Sequence, residues 1–377
     1  MNLFRVRLVS TSSERQGARH GRRLSFAGLI FALLAASTAA DEACRIAYDM
    51  GSSGIRAGAS NSSVTSQAEI DYLGPLWAGR GLEELLEPTI AALRALPVQA
   101  GAAGECARVG GGFSAWRLAL QQGPDKLAAM LARIQAGSGA AVLVIPQLQE
   151  GAYGYFGARQ LLGEKLNTSH VLDIGGGSLQ VAGARTSYGE ALGQKIWHRH
   201  LCQEIRNAES VPCDLQPMTG EELAIARTLM TEKLSAVGAA LGSPVTMTAI
   251  SRPVSRGVLP AVMRLVPEGG ASNRFQRSAL TSAINQLAGQ TREETASLIG
   301  SPPAYVAFLL SDMLLVEGLM QATGGELLEV AELDLTNLPG LLADDRAFIW
   351  AERYACYLDR LRAIGLDAYA SDPATCP

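Results

Sequence analysis

Two short segments of this chain each join a carboxylate to a turn of small residues. Asp49-Met50-Gly51-Ser52-Ser53-Gly54 returns in altered form as Asp173-Ile174-Gly175-Gly176-Gly177-Ser178. Each follows an apolar run, Ile46-Ala47-Tyr48 or Val171-Leu172, so each reads as a strand that ends in Asp and then turns tightly. Glycine lets backbone N–H groups approach an anion, and serine hydroxyls add donors. Two such loops face to face would clamp a phosphate chain, held by Gly51, Ser52, Ser53 and Gly54 on one side and by Gly175, Gly176, Gly177 and Ser178 on the other. Asp49 and Asp173 would then hold a hard divalent cation through water: Mg²⁺, or another such as Ca²⁺ or Mn²⁺. Phosphoryl transfer to water also needs a group that orients the water and takes its proton. Glu150 is placed for this, just beyond the apolar run Ala141 to Ile145 and at the start of a helical pattern. Taken alone, a Glu there is a favourable partner of the helix dipole. Between two phosphate loops it becomes the candidate base.

The elements that must position these residues follow from periodicity. Cys44 to about Ser60 reads as a hairpin around Gly51-Ser52-Ser53-Gly54, with Ile46, Tyr48, Ile55 and Ala57 alternating. Leu82, Leu85, Leu86, Ile90 and Leu93 recur at helical spacing, as do Leu127, Met130, Leu131 and Ile134, and Gly110-Gly111-Gly112 opens a helix between them. The second copy has strands at Val171 to Ile174 and Leu179 to Ala182, with a third expected over Ala191 to Ile196. Helices follow at Glu221 to Leu234, Arg277 to Leu287 and Ala304 to Met320, and a strand near Val245 to Ile250. Asp312 is expected on an exposed edge of its apolar helix. A terminal helix spans about Asp344 to Ile364. Strands alternating with helices in two similar halves predict a duplicated α/β fold with the ligand in the cleft between the halves.

Residues 1–40 read as a secretory signal. Six arginines precede an apolar stretch from Leu24 to Ala36, with cleavage expected after Ala40. The mature protein is expected to be periplasmic or secreted, with no stable membrane anchor. Losing that segment takes the formal net charge from −4 to −9. An acidic surface argues against nucleic acid as a partner, so a polyanionic substrate must be held by a local cluster of donors, arginine and metal. All six cysteines lie beyond the signal. Their even number in an exported chain suggests disulfides, among fifteen connectivities; Cys202 with Cys213 would close a short loop, and Cys356 with Cys376 would tie down the tail.

These motifs resemble the actin-like superfamily of sugar kinases and Hsp70 ATPases. Within it they resemble the exopolyphosphatase and guanosine pentaphosphate phosphohydrolase (Ppx/GppA) family and the apyrases, which are nucleoside triphosphate diphosphohydrolases. Asp49 to Arg56 is similar to the first phosphate loop of both families, and Leu172 to Ser178 to the second. Ser114-Ala115-Trp116-Arg117 resembles the exopolyphosphatase element whose arginine contacts phosphate. The resemblance implies a duplicated actin-like, RNase H-like two-domain fold with an interdomain phosphate-binding cleft. It makes Glu150 the general base and Arg117 a neutraliser of developing charge. Gln180 matches the apyrase glutamine and joins the catalytic set. Tyr153-Gly154-Tyr155 also resembles apyrases, whereas Thr291 to Leu319 and Asp334 to Leu342 resemble exopolyphosphatases, the family that this reading favours. Phe113 stands where both families place threonine, Ser251 to Arg256 replaces a Gly-Gly-Thr loop, and Asn337-Leu338-Pro339 replaces Leu-Arg-Glu.

The expected organisation is a signal at 1–40, a first subdomain at 41–168, a second at 169–342 and a C-terminal helical tail at 343–377. The expected partner is polyphosphate, or alternatively a nucleotide, and a homodimer is compatible with this reading. A non-catalytic binder of such ligands is the alternative from a different class. Outside the main set, His198 and His200 would share a face if their segment is a strand, though surface or interdomain histidines are expected rather than ligands. Arg252 and Arg256 could reach a distal phosphate or form a solvated pair. Trp116 reads as a buried helix anchor.

Overall fold

The structure, a computed structural model, describes residues 44–102, 104–333 and 337–376. The expected signal at 1–40 lies outside the described residues. The first lobe opens with the hairpin β1 (Arg45–Met50) and β2 (Gly54–Ala59), followed by β3 (Ser66–Glu69), α1 (Leu73–Trp77), α2 (Leu86–Gln99), β4 (Ala107–Gly112), α3 (Ser114–Gln122), α4 (Pro124–Ser138), β5 (Ala141–Val144) and α5 (Gln147–Leu162). The second lobe repeats the opening with β6 (His170–Ile174), β7 (Leu179–Gly183) and β8 (Ser187–Glu190), then α6 (Gln194–Arg206), α7 (Gly220–Lys233), α8 (Val237–Leu241), β9 (Met247–Ala249) and α9 (Leu259–Leu265). It continues through β10 (Gly270–Ala271), β11 (Arg274–Gln276), α10 (Arg277–Ala288), α11 (Arg292–Ile299), α12 (Leu309–Ala322) and β12 (Leu327–Val330).

Duplication is visible in the sheet order. The first sheet runs β3-β2-β1-β4-β5 and the second β10-β11-β12-β9-β6-β7-β8. Reading the second from β8, the order β8-β7-β6-β9-β12 repeats the first strand for strand. Directions repeat too: β1 is antiparallel to β2 and parallel to β4, as β6 is to β7 and β9. Each core is apolar, one built on Tyr48, Val109, Leu131 and Val142, the other on Leu172, Val181, Ile284 and Leu315. The fold is the actin-like, RNase H-like α/β duplication expected from the motifs.

The C-terminal segment departs from the sequence-based division, which set 343–377 apart as a tail. From α13 (Leu338–Ala343) through α14 (Asp345–Glu352), α15 (Tyr354–Ile364) and α16 (Asp367–Ala370), its apolar side chains join the first lobe's core. The reason lies at β5, an edge strand whose residues are all buried. An edge strand carries backbone groups that need partners. Tyr354 Oη accepts from Val142 N at 3.2 Å and donates to Val142 O at 2.9 Å, and Tyr357 Oη accepts from Val144 N at 2.7 Å. The tyrosines thus replace a missing neighbour strand. The single terminal helix expected over 344–364 is two, separated at Arg353.

Three disulfides form: Cys44–Cys106, Cys202–Cys213 and Cys356–Cys376. The first pins the starts of β1 and β4, where Arg45 lies opposite Ala107. The last closes a loop of 20 residues, a constraint worth about 3 kcal/mol by chain entropy.

Three local expectations change. The third strand of the second copy is Ser187–Glu190, not Ala191 to Ile196, because α6 begins at Gln194, seated on the glycine loop. His198 and His200 therefore lie on a helix and face apart. His198 is fully buried, within hydrogen-bond distance of Ser311 Oγ (3.0 Å) and Cys213 O (3.2 Å), and burial pushes it down to about 4. Asp312 does not face solvent either. The helix α12 is buried nearly all round, and Asp312 is 3% exposed, accepts from Gln194 Nε2 at 2.5 Å and leaves Oδ1 unpartnered.

Burial pushes the Asp312 carboxyl up to about 8. Between its unfolded value near 3.8 and that value, the unfolded chain gives up a proton that the folded protein retains. Stability from this group is therefore full below pH 4 and is lost as pH rises towards 8. Asp312→Asn, which keeps the neutral shape, is expected to gain stability relative to wild type as pH rises from 6 to 9, by more than about 1 kcal/mol. Urea denaturation at the two pH values checks this; a pH-independent difference would contradict it.

Candidate active site

The two glycine loops close in the same way. Gly51 N donates to Gly54 O at 3.0 Å, and Gly175 N donates to Ser178 O at 2.9 Å. Their tips meet: a Cβ on Gly176 would lie 2.3 Å from Ser52 Oγ and 3.5 Å from Ser53 Oγ, so glycine is what lets the loops approach. The carboxylates sit at equivalent strand ends, with Asp49 opposite Arg56 and Asp173 opposite Gln180 in the two hairpins.

A cleft of about 690 Å³ opens here, with Asp49, Gly51, Ser52, Ser53 and Gly54 on one wall and Asp173, Gly175 and Gly176 on the other. Arg56, Lys195 and Arg252 also line it. The structure sets the remaining expected residues behind that wall. Gly177 is buried, with room for a Cβ taken by Ser114, and Ser178 turns inward towards Glu150.

Glu150 lies in the first turn of α5, which β5 delivers through Ile145 and Pro146. It is 7% exposed. Its Oε2 is 2.8 Å from Arg117 Nη2, 2.9 Å from Gln180 Nε2 and 3.5 Å from Ser178 Oγ. Arg117, in the first turn of α3 and 3% exposed, also donates to Ile145 O at 2.8 Å and Ser178 Oγ at 3.0 Å. Arg117 thus holds Glu150 and the second loop together instead of reaching the cleft wall. Burial raises the Glu150 carboxyl, opposed by the Arg117 charge and by hydrogen bonds from Arg117 and Ser178. Asp49 is pushed up to about 6, by burial first; Arg56 pulls it down, Glu150 pushes it up, and a hydrogen bond from Asn337 lowers it.

Sequence reasoning missed several of these positions. Asn337 was noted only as a departure, yet its 5% exposed side chain serves Asp49. Ser251, in the replaced loop, accepts from Ile174 N at 3.1 Å through Oγ and so buttresses the second loop. Lys195 and Asp71 carried no motif at all. Of the two arginines weighed for a distal phosphate, Arg252 lines the cleft, whereas Arg256 pairs in bidentate fashion with Glu332. The Phe113 ring is 1% exposed and crowds Gly111 in the first core. Trp116 is fully buried, tilted against Tyr72.

The sequence model of the Ppx/GppA phosphatase family matches residues 125–335, more than half of the chain. This chain belongs to the Ppx/GppA phosphatase family. Solved structures of similar fold include the type II variant of the Aquifex aeolicus Ppx/GppA phosphatase, 17% identical with a TM-score of 0.57, covering 80% of this chain and 98% of that one. An exopolyphosphatase from Cytophaga hutchinsonii is 16% identical with a TM-score of 0.57, covering 79% and 96%. An exopolyphosphatase-like protein is 14% identical with a TM-score of 0.60, covering 82% and 99%. Curated proteins give no match to the sequence. At these identities the structures show the shared fold, and the Ppx/GppA assignment rests on the sequence model.

The second loop of this Ppx/GppA protein depends on Gly193. A Cβ there would lie 2.4 Å from both Gly175 O and Ser178 N, and 2.7 Å from Gly177 N, all backbone atoms that cannot swing aside. Gly193→Ala is therefore expected to displace the loop and lower orthophosphate release about 10²-fold, the scale of a misplaced reactive geometry. Gly220→Ala, which meets nothing within 4 Å, is the control. Initial rates of both variants check this; equal rates would show that the loop tolerates displacement.

Proposed function

We propose that this protein is an exported, metal-dependent exopolyphosphatase that removes the terminal phosphate of inorganic polyphosphate by attack of water. The observation that carries the reading is the convergence of Glu150, Arg117, Ser178 and Gln180 directly behind two facing phosphate loops. With Oε2 engaged by three donors, Oε1 is the oxygen through which Glu150 would orient a water and take its proton. The water oxygen bonds to the terminal phosphorus, the bridging P–O bond breaks, and the products are orthophosphate and a chain one phosphate shorter. With the N–H groups of Gly51 and Gly175 closing their loops, Ser52, Ser53, Gly54 and Gly176 would hold the phosphates by backbone N–H groups and serine hydroxyls.

A divalent cation fits the residues present. Asp49 and Asp173 end equivalent strands and line the same cleft, two carboxylates that offer the hard oxygen ligands such an ion takes. These two would hold it, and when bound it supplies neutralisation of phosphate charge. The three disulfides support export, since such bonds persist in oxidising compartments.

The cleft chemistry favours polyphosphate over a nucleotide. Its described lining contains three cationic side chains and no aromatic ring on which a base could stack. Gln180, which suggested the apyrase alternative, is engaged with Glu150 and Ser178.

The test is orthophosphate release from polyphosphate, ATP and ADP by purified protein with Mg²⁺, beside Glu150→Gln. Polyphosphate is expected to be hydrolysed in preference by more than about tenfold, roughly 1.4 kcal/mol of discrimination. Glu150→Gln is expected to lower the rate by about 10² to 10⁴ with substrate affinity little changed. Chelation by EDTA is expected to abolish turnover, and Mg²⁺ to restore it. A preference for ATP and ADP would move the protein to the apyrase side; ligand binding without turnover, persisting in Glu150→Gln, would make it a binder.

A further inference from the structure

One ion pair spans the two phosphate loops. Lys195 stands in the first turn of α6, where Gln194 N donates to Gly175 O at 2.9 Å and Lys195 N to Gly176 O at 2.8 Å. Its backbone is therefore fixed to the second loop. Asp71 lies between Ile70 and Tyr72, whose N–H groups donate to Ser53 O at 3.2 Å and Ser52 O at 3.1 Å, so it is fixed to the first loop. Lys195 Nζ reaches Asp71 Oδ1 at 3.6 Å, and both residues line the cleft. The lysine side chain is 26% exposed and the carboxylate 61%.

We propose that Lys195 is a substrate-binding residue whose ammonium engages a phosphate beyond the reacting one, and that Asp71 is its counter-ion in the free protein, displaced when the chain enters. This deepens the proposed function and rests on it for the identity of the substrate. Three features support the exchange. A lysine in the first turn of a helix opposes the helix dipole, and α6 has no acidic residue in that turn to compensate. The site thus adds a positive charge to a positive helix end, an arrangement that an anion between the loops would stabilise. The existing pair is long, at 3.6 Å, and its carboxylate is 61% exposed, the kind of contact that contributes little and is easily given up. A phosphate oxygen offers a stronger, charge-assisted bond, and on a polyanion it brings further charge towards Arg56 and Arg252 on the same cleft.

Asp71 then acts against substrate. Its carboxylate competes with an arriving phosphate for Lys195. Removing the two partners should consequently change KM in opposite directions, which a merely structural clasp between the loops would not do.

The experiment measures kcat and KM for long-chain polyphosphate with wild type, Lys195→Met, Lys195→Arg, Asp71→Asn and the double variant. Lys195→Met is expected to raise KM by about tenfold with kcat within about threefold, a loss of binding common to ground and transition states. Lys195→Arg is expected to restore KM, and Asp71→Asn to lower it by about twofold or more. The double variant is expected to match Lys195→Met, since the effect of Asp71 passes through Lys195. An unchanged KM in Lys195→Met, or an equal rise in both single variants, would overturn the proposal. Titration of tripolyphosphate into Glu150→Gln, with and without Lys195→Met, reads binding apart from turnover. Weaker binding there, with no turnover by wild type, would remove the hydrolase reading and leave Lys195 as a phosphate ligand; turnover by wild type with equal binding in both would remove Lys195 alone.

Discussion

The buried ion pair between Arg117 and Glu150 is the constraint on which the site depends. Taking two charges out of water costs several kcal/mol per ion, and their attraction offsets this only when the remaining polar groups are also satisfied. Here the extra partners come from three places: Ile145 O at the end of β5, Ser178 Oγ in the second loop and Gln180 Nε2 on β7. Glu150 and Arg117 belong to the first lobe and Ser178 and Gln180 to the second. The pair is therefore satisfied only at one disposition of the two lobes, and the same disposition brings Gly176 against Ser52. Charge burial and loop apposition are two consequences of one packing.

Duplication explains why the site has two carboxylates but one base. Each half supplies a strand ending in Asp, a glycine turn closed by the same hydrogen bond, and a helix that crosses to the opposite lobe after its fifth conserved-order strand. Helix α5 follows β5 and packs on β7 and β8, whereas α13 comes after β12 and packs on β1. At the start of α5 stands Glu150, touching Gln180 across from Asp173. At the start of α13 stands Asn337, touching Asp49. The first turn of α5 thus brings an acid to one hairpin, and the residue before α13 brings an amide to the other. A second carboxylate at Asn337 would add charge beside Asp49, which is already raised to about 6.

The parts legible in sequence were those that local chemistry dictates. The paired Asp and glycine turns, the apolar run before Glu150 and the pairings Cys202–Cys213 and Cys356–Cys376 all follow from short-range spacing. The matched family region begins at residue 125, so Asp49 and Arg117 were legible only through their own motifs. What stayed hidden depends on contacts distant in the chain. Asp312 looked like the polar edge of an apolar helix, but α12 has neighbours on every side and its carboxyl meets Gln194. The segment after Glu190 had strand-like alternation, yet carbonyls of a loop almost twenty residues earlier fix its N–H groups into a helix start. Nothing near Tyr354 or Tyr357 signals that their hydroxyls complete a strand more than two hundred residues away.

Those long-range contacts also bear on the departures from family pattern, each of which is absorbed by structure. Phe113 fills the first core over Gly111, Ser251 takes the Ile174 N–H, and Asn337 serves Asp49. The replaced segment does enter the site, since Ser251, Arg252 and Pro253 line the cleft. What the departures leave is an electrostatic imbalance. Asp49 and Glu150 repel one another, while Arg117 is spent inside the wall and the cations Arg56, Lys195 and Arg252 lie along the open cleft. A phosphate chain entering the cleft would meet those cations together with the carboxylates Asp49, Glu69, Asp71 and Asp173. On the proposed reading, a divalent cation held by Asp49 and Asp173 would offset part of that acidic lining, since water attack on a terminal phosphate needs its charge neutralised.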